Sequence, residues 1–474
     1  MSKAEIRLLN RLARSYGVET AFRDSRGERR HAGRHSLLAA LRALGAPVEG
    51  LAGVPDALRE RVQSEWRRLS EPVAVSWGGR PVLLELRLPA AIKKGPAAFR
   101  LELEGGRALR WTRSLSRLPL VRTVSVEGAG YEVRQLALPT GLPPGYHLLT
   151  LELPELPGGA HKVLIISAPL RAFTPPPGTP GPSWGVFLRS PPASGSRSWG
   201  AGDFTDLEAL LDWVRGLGGD LAGTLPLLAA FLDEPFAPGP YEPVSRLFWN
   251  EFYLDLARVE ELKVEPKARE LLNSPGCQDE IAALRAAPLV DYRRGTALKR
   301  RVLELCAQKF FAGDSRRQAG LRRWAAEDPA ASDYARFRAA VEQRRAGWTA
   351  WPGPMRDGVL RDGDFDPEAE RYHLYVQWLA REQLGELSAR AGQKGRGLYL
   401  DLPLGVHREG YDVWRERSAF ALEAGSGAPP DSFFTRGQDW ACPPLHPEKL
   451  RQQGYRYYID CLRHHLRQAA ILRI

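Results

Sequence analysis

The chain has 474 residues, 43% of them hydrophobic and 26% charged, which is enough apolar material for a large core and two or three domains. Its formal net charge is +11 with a pI near 9.6, but the basic residues are mostly arginines interleaved with acids, so they form no stripe for nucleic acid. Four cysteines, Cys277, Cys306, Cys442 and Cys461, stand far apart and suggest neither a zinc site nor a disulfide framework; with no signal segment and no run of about 18 apolar residues, a cytoplasmic protein without a membrane partner is expected.

In chain order, residues 3–16 place Ile6, Leu9, Leu12 and Ala13 on one helical face, with Gly17 at the stop. A hairpin-like segment turning at Asp24–Gly27 leads to a second helix carrying Leu37, Leu38, Leu41 and Leu44. A third starts near Pro55 and aligns Leu58, Val62, Trp66 and Leu69. Together, residues 1–70 read as a small helical module. From Glu71 the apolar period changes from 3.6 to 2: Val73, Val75 and Trp77, then Leu84, Leu86 and Leu88, then Phe99, Leu101 and Leu103 alternate between glycine turns. Further strands are expected at 123–126, 131–138, 147–153 and 161–167, so residues 71–173 predict an antiparallel β-sandwich. Trp77 or Trp111 could serve there as a sugar-stacking platform, but burial in the core is expected of both.

The proline-rich stretch 174–182 predicts an extended connector. Beyond it, a buried strand at Trp184–Leu188, a loop with a Trp-Gly-Ala-Gly-Asp turn, a helix at Phe204–Gly216 and a strand at Asp220–Leu228 form the repeating unit of a parallel α/β barrel. Asp203 sits where a helix cap belongs. Residues about 256–370 predict a helical insertion, too long for a plain connection. A helix at Tyr372–Ala391 then delivers a third strand at Leu398–Val406, an apolar run whose one carboxylate, Asp401, marks its exit into a site. A last amphipathic helix, read from Tyr455, Tyr458, Ile459, Leu462 and Leu466, feeds a fourth strand at Ala470–Ile474. An apolar strand left as a bare edge is unusual, so the expectation is a chain that stops inside its own core, with residues 183–474 holding about four strands of an incomplete (β/α)8 barrel.

No cofactor or metal is implied. His464 and His465 are adjacent, pointing to different sides of a helix rather than at the i, i+4 spacing of a metal pair. Gly200-Ala-Gly-Asp lacks the rest of a dinucleotide fingerprint.

Several separated motifs carry a resemblance: Arg197-Ser-Trp-Gly-Ala-Gly-Asp-Phe204, Pro240-Tyr-Glu-Pro-Val-Ser-Arg-Leu-Phe-Trp-Asn250, Asp401-Leu-Pro-Leu-Gly-Val406, Pro429-Pro-Asp-Ser-Phe-Phe434, Gly437-Gln-Asp-Trp440 and the closing Leu472-Arg-Ile. In this order they resemble the 4-alpha-glucanotransferase (amylomaltase) family, closely from Ser183 onward and more loosely before it. The resemblance implies retaining transfer of α-1,4-glucan segments between maltooligosaccharides. It places the nucleophilic aspartate immediately after Ile474 and the acid/base on a later strand. No catalytic carboxylate is therefore expected within the chain, which should be inactive alone. It further implies that Tyr241 stacks on the sugar, that Asp401 supports it by hydrogen bonding and that Arg473 orients the neighbouring carboxylate. Asp431, Phe433, Gln438 and Trp440 would lie in a loop covering the acceptor side. The sequence departs from the family pattern at Ala441, usually glycine, and at Gly239, commonly serine. A noncatalytic glucan-binding protein and another hydrolase of the α-amylase clan are the alternatives.

Overall fold

In the computed structural model, residues 3–24, 26–92, 95–153, 159–173, 183–188 and 198–474 are described. The expected connector at 174–182 and the start of the Arg197 motif lie outside them. The chain divides into two units, one formed by residues 1–179, 418–439 and 445–456, the other by 180–417, 440–444 and 457–474.

The first unit opens with α1 (Lys3–Ser15), the short hairpin β1–β2 (Ala21–Arg23 and Arg29–His31), α2 (Arg34–Ala43) and α3 (Val54–Arg67). Leu9, Leu12, Leu37, Leu41 and Leu58 make their common core. Two expectations fail here. Ile6 is 39% exposed, and Leu8 packs in its place. Leu69 lies beyond the end of α3 and joins the core of the sandwich instead.

The sandwich strands are β3 (Val73–Trp77), β4 (Leu83–Pro89), β5 (Pro96–Glu102), β6 (Ala108–Ser114), β7 (Leu120–Val126), β8 (Ala129–Ala137), β9 (Gly145–Glu152) and β10 (Ala160–Ala168). They form a five-stranded sheet in the order β3-β10-β9-β5-β6 and a three-stranded sheet in the order β4-β8-β7. Alternate residues such as Leu84, Leu86, Phe99, Leu101, Leu149, Leu151, Val163 and Ile165 meet between the sheets, as a period of two dictates. The sandwich is not purely antiparallel: β3 and β10, its first and last strands, pair in parallel, Val75 opposite Ile166. Parallel neighbours need a long crossover, and the rest of the domain supplies it. Trp77 is 54% exposed, because β3 is an edge strand and its core-facing neighbours are Ala74 and Ser76. Trp111 stacks on Phe99 with ring centroids 5.5 Å apart and packs on the core as expected.

The second unit begins with β11 (Gly185–Leu188), α4 (Phe204–Gly216) and β12 (Leu221–Thr224), followed by the small hairpin β13–β14 (Phe231–Leu232, Phe236–Ala237). Asp203 caps α4: its carboxylate accepts from the Thr205 and Asp206 amides, while Asp206 accepts from the Asp203 amide, a reciprocal capping box. Helices α5–α12 run from Glu260 to Gln393. Of these, α8 (Tyr292–Phe311), α10 (Pro329–Arg344) and α12 (Pro367–Gln393) bury Leu303, Phe310, Phe337, Tyr375 and Leu384. The chain continues through β15 (Gly397–Asp401) and α13 (Tyr411–Arg415). β15 stops earlier than the apolar run to Val406 suggests, because Pro403 has no N–H to donate to a ladder.

Residues 418–439 and 445–456, among them Asp431, Phe433 and Gln438 of the loop expected over the acceptor side, belong to the first unit. They carry the hairpin β16–β17 (Gly427–Ala428, Gln438–Asp439) and α14 (Pro447–Gln452). Glu448 pairs with Arg61 and Arg68, and Arg451 with Glu71; Gly454 lies against Leu164 on the outer face of the sandwich. The chain then enters α15 (Arg456–Leu466) and β18 (Ile471–Arg473). α15 buries Ile459, as read from sequence, but its main buried face is Tyr457, Cys461 and His465, spaced i, i+4, i+8, and Leu466 is 57% exposed.

β11, β12, β15 and β18 make one parallel sheet in that order. Phe187, Gly223, Tyr399 and Ile471 share a level across it. A Cβ at Gly223 would meet Phe187 at 2.8 Å and Tyr399 at 3.2 Å, so glycine is what admits both rings.

Candidate active site

One level further along that sheet, Asp401 of β15 stands directly opposite Arg473 of β18. Side chains two residues apart on a strand project from the same face, so both extend past the Tyr399–Ile471 level. Arg473 Nε donates to Asp401 Oδ1 at 2.9 Å and Nη2 bonds Oδ2. The same Nη2 donates to the Tyr241 hydroxyl at 3.1 Å. The guanidinium also lies over the Phe187 ring, 5.2 Å from its centroid. Hydrogen bonds to Asp401, with its charge, push the Arg473 pKa up despite partial burial. A forked guanidinium fixes carboxylate orientation as a point charge cannot. The Asp401 side chain is 4% exposed and that of Arg473 43%, so the carboxylate is held in the sheet while the cluster opens outward. Tyr241 is 47% exposed.

The structure thus brings together Tyr241, Asp401 and Arg473 from three distant stretches. Arg473, expected to orient a following carboxylate, is engaged by Asp401. Trp440 belongs to the same unit and is 38% exposed. Asp431, Phe433 and Gln438 belong to the other unit. There, Asp431 Oδ1 accepts from the Phe433 and Phe434 amides at 2.8 and 2.6 Å, a side-chain-closed turn that leaves Phe433 90% exposed. Gln438 pairs with Ala428 in the hairpin. Ala441 adopts φ 59°, a left-handed conformation that disfavours any Cβ. That is the physical reason glycine suits the position.

Sequence reasoning gave no role to a buried group below the cluster. Arg246, Asp412 and Tyr457, each 1% exposed, are mutually hydrogen-bonded. Arg246 was legible only as part of the Pro-Tyr-x-Pro-x-Ser-Arg-Leu string, and Asp412 only as one more acid. Nor do the two histidines diverge as expected. His464 stacks on Trp249 with centroids 4.3 Å apart and His465 meets the same indole edge-on at 5.6 Å; burial holds His465 down to about 4.

Elsewhere in this unit, Lys299 of α8 is buried and donates to the Phe252 and Leu254 carbonyls at 2.7 and 2.9 Å. Burial lowers its pKa to about 8 against the pull of Asp203 and Asp255. The four cysteines are free and buried, and burial pushes Cys306 and Cys461 up to about 12. Among the described residues, no three His, Cys, Asp or Glu side chains group as a metal site, and no helix is long and apolar enough to cross a membrane.

An N-terminal β-sandwich, a helix-rich unit and a parallel sheet with an acid–arginine pair at its edge define an amylomaltase-like multidomain fold. The chain belongs to the 4-alpha-glucanotransferase family, whose model matches residues 192–474, and residues 71–169 match the MalQ N-terminal beta sandwich domain. Among curated relatives, a 4-alpha-glucanotransferase of Mycobacterium bovis is 30% identical across 98% of this chain and 64% of its own length. One from Haemophilus influenzae is 29% identical across 69% of this chain and 51% of its own. The crystal structure of amylomaltase from Corynebacterium glutamicum superposes with a TM-score of 0.82 at 26% identity, covering 99% of this chain and 65% of that one. The amylomaltase of Streptococcus agalactiae, solved in complex with acarbose, shares the fold at TM-score 0.51 and 21% identity, over 61% of this chain and 58% of its own. The chain therefore spans 64% of the length of the mycobacterial relatives it matches.

Proposed function

We propose that the chain forms part of a cytoplasmic 4-alpha-glucanotransferase that moves α-1,4-glucan segments between maltooligosaccharides by retaining double displacement. The observation that carries this reading is the Asp401–Arg473–Tyr241 cluster on adjacent parallel strands. In this reading β11, β12, β15 and β18 are the first four strands of a (β/α)8 barrel occupying residues 183–474, with a helical insertion at about 256–370. Residues 1–70 are a helical module, 71–173 the sandwich and 174–182 their connector to the barrel. Tyr241 stacks on a pyranose face, and Asp401, aligned by Arg473, accepts sugar hydroxyls. Asp431, Phe433, Gln438 and Trp440 contribute to the acceptor side. The reaction needs no cofactor.

Retaining transfer needs two carboxylates about 5 to 5.5 Å apart, one as nucleophile and one as acid/base. The cluster holds one carboxylate, and it is committed to an arginine. The 474-residue chain is therefore expected to bind maltotriose and acarbose without disproportionating maltotriose. Calorimetric titration with both sugars, with Tyr241→Ala as the weakened variant, together with a turnover assay, tests this. Sustained conversion of maltotriose to glucose and longer chains would sink the assignment of roles, and failure to bind either sugar would sink the glucan reading.

A further inference from the structure

The buried network below the cluster makes contacts that fasten one particular turn. Asp412 accepts from Ser245 Oγ at 2.5 Å, from the Arg246 amide at 2.8 Å and from the Tyr457 hydroxyl at 2.5 Å. Tyr457 oxygen in turn accepts from Arg246 Nε at 2.9 Å. Arg246 Nη1 then reaches the Leu404 and Pro403 carbonyls at 3.2 and 3.4 Å. Those carbonyls belong to the turn that leaves β15 immediately after Asp401. The same turn is tied at its start by the Leu402 amide to the Arg473 carbonyl and at its end by the His407 amide to the Pro243 carbonyl, both at 2.9 Å. At Gly405 an added Cβ would lie 2.8 Å from both the Tyr241 carbonyl and Cys442 Sγ, so the turn and the Tyr241 loop approach as closely as backbones can.

A buried polar network is a poor source of net stability, since desolvation offsets much of what its contacts gain, but with its hydrogen bonds made it selects one geometry sharply. Arginine is suited to this one because its planar fork serves a hydroxyl and two carbonyls at once. We propose that Arg246, Asp412 and Tyr457 are positioning residues that clamp the 402–407 turn against the 240s loop, fixing the Asp401 carboxylate and the Tyr241 ring for a bound sugar. The sugar-binding half of this proposal rests on the glucan-site reading; the clamp itself does not.

Native-state amide exchange on the whole chain tests the clamp. Tyr457→Phe removes one oxygen and leaves the packing intact; Asp412→Asn keeps shape and removes the charge. In both, exchange at Leu402 and His407 should quicken at least about tenfold while the amides of α10 and of the sandwich strands keep their rates. Arg246→Lys should behave like the loss variants, because an ammonium cannot span the three acceptors. Maltotriose affinity should fall in Tyr457→Phe in step with the local exchange. Unchanged protection at Leu402 and His407, a uniform loss across the second unit, or an unaltered maltotriose affinity beside faster local exchange would each overturn the proposal. If the wild-type chain binds no maltotriose, the glucan reading fails by itself and the exchange at Leu402 and His407 still decides the clamp.

Discussion

The sandwich and the parallel-sheet unit are stabilised in opposite ways. Between the sandwich sheets the core is built mainly of apolar side chains, from Leu69 through Leu86, Phe99 and Leu149 to Ile165, with Ser76, His147 and Ser167 its few buried polar residues, and an apolar side chain of similar volume would largely preserve it. The second unit buries Arg246, Lys299, Arg338, His373, Asp412 and His465 as well as its hydrophobic residues. Glu342 accepts from Arg300 in a bidentate pair and from His373. Burial would raise that carboxyl, yet the His373 and Arg300 contacts outweigh it and hold it well below the usual range. Non-directional packing dominates in the sandwich, while directional and desolvated contacts accumulate in the second unit.

Disrupting each kind of interaction sharpens the contrast. The largest effect is expected from Asp412→Ala, which takes the buried acceptor from the Ser245 hydroxyl, the Arg246 amide and the Tyr457 hydroxyl and should destabilise the second unit by about 3–5 kcal/mol in urea unfolding. Leu149→Ala in the sandwich should cost about 2–5 kcal/mol through transfer and cavity terms, without altering exchange at Leu402. Acid should discriminate next. His465 has a folded pKa near 4 against an unfolded value near 6.5, so the unfolded chain takes up a proton that the folded one refuses. Stability of the second unit should fall, by up to roughly 3 kcal/mol, as pH drops from about 6.5 to 4. The sandwich should lose less over the same window, and His465→Phe should flatten the slope. Ala441→Gly should stabilise by about 0.5 kcal/mol, the relief of left-handed strain less the greater freedom glycine gives the unfolded chain. Smallest of all, Arg122→Ala removes a bidentate but exposed contact with Glu85 and should leave the urea midpoint unchanged.

Legibility follows the same division. Alternation at Leu84–Leu88 and Phe99–Leu103, and the helical spacing of Leu9, Leu12, Leu37 and Leu41, announced their elements because apolar burial imposes a period. β6 was missed, since Arg110, Thr112 and Arg113 hide the two inward residues, Leu109 and Trp111. The parallel β3–β10 pair was missed because pairing direction leaves no trace in alternation. In the site, Tyr241, Asp401 and Arg473 were found through motif strings. Arg246, Asp412 and Tyr457 were not assigned, because a charged or hydroxyl-bearing residue reads as solvated until its partners, from 45 to 211 positions away, are brought to it. The face of α15 was read only in part, Ile459 being buried as expected, for the same reason: Tyr457 and His465 are buried with hydrogen bonds to partners that the sequence does not reveal.

The cysteines turn this architecture into something measurable without mutation. All four thiols are enclosed in the second unit, Cys461 one turn from Tyr457 on α15 and Cys306 in the C-terminal half of α8, and thiolate formation at both is suppressed. A maleimide or disulfide reagent can reach them only when their surroundings breathe. The order in which the four become modified would therefore chart which parts of the unit open first, with Cys461 reporting on the surroundings of Arg246, Asp412 and Tyr457 and Cys306 on the helices, in the unaltered protein.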